Sequence, residues 1–261
     1  RSLRAARPRP RGGGLAAAGF ARLHHLRGAL PAPTRPALHG ASAAPRRRSL
    51  SSASGGGDDD VGSFMQPPPL IIAVARNESE QIQELLDGGA DPDARFSGHN
   101  ALHVACMMGN VDAARALLGH PSVDVNARTD EDEAALTALH VAAAEAHDEV
   151  ISALASHGAD MDAAAGDGAA TPLHVAAKFK HASTTALLLS LGANPEARND
   201  DVATALHVAV VEQSIETATA LLDGGADVNA TTGSGLRALQ VAVELEHREM
   251  VELLLERGAR A

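Results

Sequence analysis

The chain has 261 residues and a formal net charge of -11; its 45% apolar residues are chiefly Ala, Val and Leu, with four Phe and no Trp or Tyr. That length can bury a real core, and no apolar run reaches the ~18 residues of a membrane-spanning helix. A single cysteine, Cys106, excludes an internal disulfide framework and any multi-cysteine metal site.

The charge divides sharply along the chain. Residues 1–57 hold eleven Arg and no acid, whereas residues 58–261 carry all 33 acidic residues against 11 basic ones, a balance of -22. An acidic body repels phosphate backbones, so nucleic acid is excluded as its partner. The leader at 1–57 is rich in Arg, Ala, Ser, Pro and Gly without sustained apolar periodicity, a composition that cannot build a packed core and reads as disordered. Arg-rich, Ser-containing and acid-free is also the make-up of an organellar transit peptide, which points to the mitochondrion ahead of the plastid. Within it, Phe20-Ala21-Arg22-Leu23-His24-His25-Leu26-Arg27 allows one or two amphipathic turns, and Arg46-Arg47-Arg48-Ser49-Leu50-Ser51-Ser52 is similar to a mitochondrial processing site. A plain basic extension fits the same residues. So does an untranslated leader, since the first methionine is Met65; the protein is then cytoplasmic.

Residues 58–66 read as a linker, and Pro67-Pro68-Pro69 mark the start of a folded region over 67–261. From here the sequence repeats. Ala101-Leu102-His103-Val104-Ala105 recurs at Ala138-Leu139-His140-Val141-Ala142, Pro172-Leu173-His174-Val175-Ala176 and Ala205-Leu206-His207-Val208-Ala209, then as Ala238-Leu239-Gln240-Val241-Ala242. The Leu-to-Leu steps are 37, 34, 33 and 33 residues, and Leu70-Ile71-Ile72-Ala73 begins a degenerate first copy. Each copy continues into a second apolar run with a Leu pair or near-pair, most of them followed by Gly89-Ala90-Asp91 or its equivalent. Thr137, Thr171 and Thr204, three residues before His, can cap a first helix. Gly158, Gly192 and Gly225 can end a second one through a left-handed C-cap. The spacing thus predicts six helix pairs at about 67–94, 95–131, 132–165, 166–198, 199–231 and 232–261. The long step from Leu102 to Leu139 predicts a longer turn around Asp130-Glu131-Asp132-Glu133, and the acidic final copy suits a polar C-terminal cap.

Helices of two to three turns are marginal alone in water, so such pairs must bury one another by stacking. The Leu-His-x-Ala signature at this period, closed by Gly-Ala-Asp, resembles the ankyrin-repeat family. The resemblance implies an all-α solenoid of about six helix-turn-helix repeats with projecting β-turns. It also implies a structural role for the Leu-His histidines, which recur one repeat apart and are spaced too widely to ligate one metal.

No nucleophile elbow, phosphate loop or separable carboxylate pair appears, so no catalytic, cofactor or metal site is expected. Family members bind through the concave face of the first helices and through the turn tips. Carried over by position, the concave candidates are Met107, Met108, Ala144, Glu145, Lys178, Phe179, Val211, Glu212, Glu244 and Leu245. The tip candidates are Phe96, His99, Glu133, Leu136, Asp167, Asp200, Asp201 and Leu236. The expected protein is a monomeric adaptor or scaffold, without nucleic-acid or membrane partners, holding a basic or amphipathic segment of another protein. The alternative is the ankyrin portion of a larger enzyme or ligase.

Overall fold

The structure, a computed structural model, describes residues 66–130 and 134–260, with Asp167 given by its backbone alone. The leader with its 20–27 and 46–52 segments, most of the 58–66 linker and Glu133 lie outside the described residues.

The described residues form twelve α-helices in six pairs: α1 (Pro69–Ala75) with α2 (Ser79–Asp87), α3 (Ala101–Met108) with α4 (Val111–Leu118), and α5 (Ala138–Ala144) with α6 (Asp148–Ser156). The second half continues with α7 (Pro172–Lys178) and α8 (Ala182–Ser190), α9 (Ala205–Val211) and α10 (Ile215–Asp223), then α11 (Ala238–Glu244) and α12 (Arg248–Glu256). First helices pack on first helices of neighbouring pairs and second helices on second helices, so the molecule is a two-layer stack. One continuous core runs through it, built largely of Ala, Val and Leu.

Local chemistry explains why each pair forms. Thr137, Thr171 and Thr204 each make a capping box with the His three residues on. Pro69 and Pro172 open their helices, where a missing N–H costs nothing. Between the two helices of a pair the chain turns through one left-handed residue: Asn77, Gly109, Ala146, Lys180, Gln213 or Glu246. Second helices end in the double hydrogen-bond pattern of a Schellman cap; in α6, Gly158 N donates to Ala155 O and Ala159 N to Leu154 O, both at 3.1 Å. Gly89, Gly158, Gly192, Gly225 and Gly258 supply its left-handed residue. The pair α3–α4 lacks this glycine because Gly119-His120-Pro121-Ser122-Val123 adds a residue there; His120 N donates to Leu117 O, and Pro121 has no N–H for the second bond.

The turns after the second helices form a hydrogen-bonded ladder. Asp91, Asp124, Asp160, Asn194 and Asp227 each close an Asx turn on the backbone N–H two residues later. Asn126, Asp162, Glu196 and Asn229 then accept the N–H that opens the same turn in the next repeat, at 2.7–2.9 Å. The fingers pair across their own necks at Phe96 and His99, Arg128 and Thr137, Ala165 and Ala170, and Thr231 and Arg237. The neck at Arg128–Thr137 encloses the most residues, so the second finger is the long one. Of the Leu pairs on second helices, only one member packs fully inward: Leu117, Leu188, Leu221 and Leu254 are fully buried, whereas their partners are only half-covered and Leu255 is 51% exposed.

Candidate partner-binding surface

The first helices end in three equivalent positions per repeat. The first is Met107, Ala144, Lys178, Val211 and Glu244; the second is Met108, Glu145, Phe179, Glu212 and Leu245; the third is the left-handed residue. Because neighbouring first helices stack, each row forms a line along one face of the solenoid. Exposure changes along these lines although register does not. Met107 is 1% exposed and Ala144 is buried, Lys178 is half-buried, and Val211 is 55% exposed. Met107 therefore belongs to the core and is corrected as a docking residue.

Met108 and Phe179 are half-buried with their apolar surface against the core. The Phe179 ring stacks on His181, with centroids 6.2 Å apart and planes 16° apart. His181 Nε2 in turn donates to Ala144 O at 2.9 Å, which ties this edge to the preceding repeat. Glu145, Lys178 and Glu212 are half-buried; Glu244 and Leu245 are exposed, Leu245 by 39%. The open part of the face thus lies over the last two repeats, where Val211 and Leu245 sit among Glu212, Glu244 and Glu246. None of those three carboxylates forms an ion pair among the described residues, whereas Asp130 is bridged by Arg95 and Asp223 by Arg257 elsewhere.

The finger tips divide similarly. His99 is 2% exposed, its Nδ1–H donates to Ser97 O at 2.6 Å, and its ring meets His103 edge-on at 6.1 Å. His99 is thus a core residue of the first finger and is corrected as a tip contact, as is Leu136, which is buried with its carbonyl accepting from His103. Phe96 and Leu236 are half-buried, and Asp200 and Asp201 are exposed. Backbone bonds join the fingers: Asp130 N to Gly98 O, Asp200 N to Gly168 O and Gly233 N to Asp201 O, each 3.2 Å.

Four exposed apolar side chains were not among the candidates: Leu191 just after α8, Val202 on a finger, and Val243 and Leu255 on the outer face of the last pair. Val243 occupies the position that Val210 fills in the preceding repeat, where the next repeat covers it. Residue type carries no signal of that difference.

The sequence profile of ankyrin repeats (3 copies) matches residues 58–129, 129–199 and 173–261. The chain belongs to the ankyrin-repeat family. Among solved structures it is similar to an ankyrin repeat domain from Acinetobacter baumannii AYE, with TM-score 0.65 and 30% identity, covering 74% of this chain and 98% of that one. It is also similar to the ankyrin repeat domain of Bcl-3, described as a unique member of the IkappaB protein family, with TM-score 0.68 and 30% identity over 76% of this chain and 85% of that one. Curated relatives include alpha-latrocrustotoxin-Lt1a of Latrodectus tredecimguttatus, 35% identical over 91 residues, and alpha-latroinsectotoxin-Lt1a of the same spider, 32% identical over 94. The matched segment is about a third of this chain but only 6% of either toxin.

Within this ankyrin frame the histidines have structural work. His140 Nε2 donates to Ala170 O at 2.9 Å and His174 Nε2 to Ala203 O at 3.0 Å, each across a repeat interface. Burial holds all four Leu-His imidazoles below their ordinary pKa of 6.5, His103 at about 3 and His140 at about 4. Burial likewise pushes the Cys106 thiol up, away from the reactive thiolate. Among the described residues no group of His, Cys, Asp and Glu could hold a metal ion, and no helix is long and apolar enough to cross a membrane.

Proposed function

We propose that this ankyrin stack is a non-enzymatic adaptor that holds a basic, amphipathic segment of another protein against the first-helix face of its last two repeats. The carrying observation is the combination there of two solvent-exposed apolar side chains, Val211 and Leu245, with three carboxylates that form no ion pair among the described residues. Apolar area supplies affinity, and the acidic surround steers a cationic ligand and selects against acidic ones. Phe179 and Met108 extend the floor, and aromatic and Met side chains are favoured at interface centres. Ankyrin repeats are a general protein-interaction fold, which supports the class of function; the partner's chemistry is the surface's own.

The test uses Val211→Asp with Leu245→Asp, because both side chains are exposed and their loss leaves the core intact. Affinity capture followed by titration of the recovered partner should show at least tenfold weaker binding, with an unchanged circular dichroism melt. Capture that is indifferent to both substitutions sinks the assignment of this face.

A further inference from the structure

The same surface has a ligand of the required chemistry in the chain itself. The leader at residues 1–57 carries eleven Arg and no acid, against a balance of -22 over residues 58–261. Within it Phe20, Leu23 and Leu26 fall at every third position, a spacing that gathers apolar side chains on one side of a helical turn with Arg22 and Arg27 beside them. Only four Phe exist in the chain, and one of them lies in this short stretch. We infer that the 20–27 segment docks on the apolar-acidic face formed by Val211, Leu245, Glu212, Glu244 and Glu246, so that the leader and an external partner compete for it.

Charge and apolar pattern match in kind: three carboxylates without a described ion pair face two exposed aliphatic side chains, and the segment offers arginines flanking Phe and Leu. On the second-helix layer Asp223 is already bridged by Arg257, at 2.8 Å.

Reach is sufficient. The roughly 40 residues between the segment and the first described helix extend to about 130 Å. The stack from α1 to α11 spans five helix-to-helix steps of about 10 Å each. A tethered ligand acts at an effective concentration up to order mM, so an intrinsic contact tighter than that occupies the face most of the time. Removal of the leader then opens the groove. This inference rests on the docking face proposed above and deepens it by naming its first occupant.

The experiment uses the full chain with Ala21→Cys carrying a nitroxide; Cys106 is buried and stays unlabelled. Amide signals of Val211, Glu212 and Leu245 should lose at least half their intensity, and recover when Phe20→Asp and Leu23→Asp are added. A probe peptide of residues 18–30, added in trans, should bind that released chain at least tenfold more tightly than the wild type. Broadening that is absent, or equally strong at Glu216 and Glu252 on the other layer, overturns the inference. Broadening that arises only between mixed labelled and unlabelled molecules overturns it in favour of a second copy as occupant. Equal peptide binding to both chains also overturns it while leaving the docking face standing. The docking face itself falls only if capture ignores Val211→Asp and Leu245→Asp.

Discussion

A buried imidazole in a repeat interface has to choose a tautomer. In His140 the Nε2 proton is committed to the Ala170 carbonyl, so Nδ1 is left to accept from the backbone N–H of Thr137 at 3.2 Å and its hydroxyl at 2.8 Å. His103 has a harder position. Its Nε2 faces Leu136 O at 3.0 Å and its Nδ1 faces Asn100 Oδ1 at 2.5 Å, two acceptors for the single N–H of a neutral ring. Burial nevertheless keeps His103 neutral, with a pKa near 3. The folded pKa of each ring lies below that of the unfolded chain, so the unfolded state takes up protons first as pH falls. Stability contributed by His140 is complete above about pH 6.5 and drains away between 6.5 and 4. At pH 5 the loss amounts to about 2 kcal/mol for His140. Gln240 shows that Gln can serve the same cap, its Oε1 accepting from Arg237 N at 2.9 Å. His140→Gln should therefore cost about 1 kcal/mol at pH 8. Urea unfolding at pH 8 and pH 5 should show the acid-induced loss reduced by about 2 kcal/mol. An undiminished loss would move the acid sensitivity to other groups.

Among elements, the helix pairs were legible in the sequence because their signals are local and repeat. Thr three residues before His, Pro in a first turn and Gly before Ala each dictate a boundary by their own backbone chemistry, and those boundaries appear where expected. The turn between helices was legible only at Gly109, since five of the six residues there are not glycine and all of those but Asn77 adopt the left-handed region against their preference. That difference is testable. A Cβ on Gly109 would lie 2.6–2.9 Å from the His147 ring atoms, so Gly109→Ala combines strain with a clash against the next repeat. It should destabilise by about 2–3 kcal/mol. Ala146 stands in the equivalent turn at φ 56°, and Ala146→Gly relieves strain for a gain of about 1 kcal/mol. Thermal melts of the two variants should move in opposite directions. The proposed docking face was legible by position and illegible by exposure, because Met107 and Val211 share a register and differ in what covers them.

Coupling along the whole molecule follows from the same dependence on neighbours. Each pair contacts only the pairs stacked against it, so stability is close to a sum of repeat and interface contributions. Leu188 and Leu254 are equivalent, fully buried leucines of α8 and α12. Either truncation to Ala removes comparable packing, worth about 2–5 kcal/mol. The consequences should differ because of place. Leu188→Ala weakens a central pair supported from both sides, so the cavity burdens the cooperative unit and lowers the midpoint of the entire array. Leu254→Ala acts where Val243 and Leu255 are already open to solvent, so unfolding can begin there alone. Hydrogen exchange should show increased opening confined to α11 and α12 in Leu254→Ala, with protection in α5–α8 retained. Exchange that rises equally through all six pairs would mean that the stack unfolds as one unit whatever the site of damage. In that case the last two repeats, which carry the proposed docking face, could not order or loosen separately from the rest.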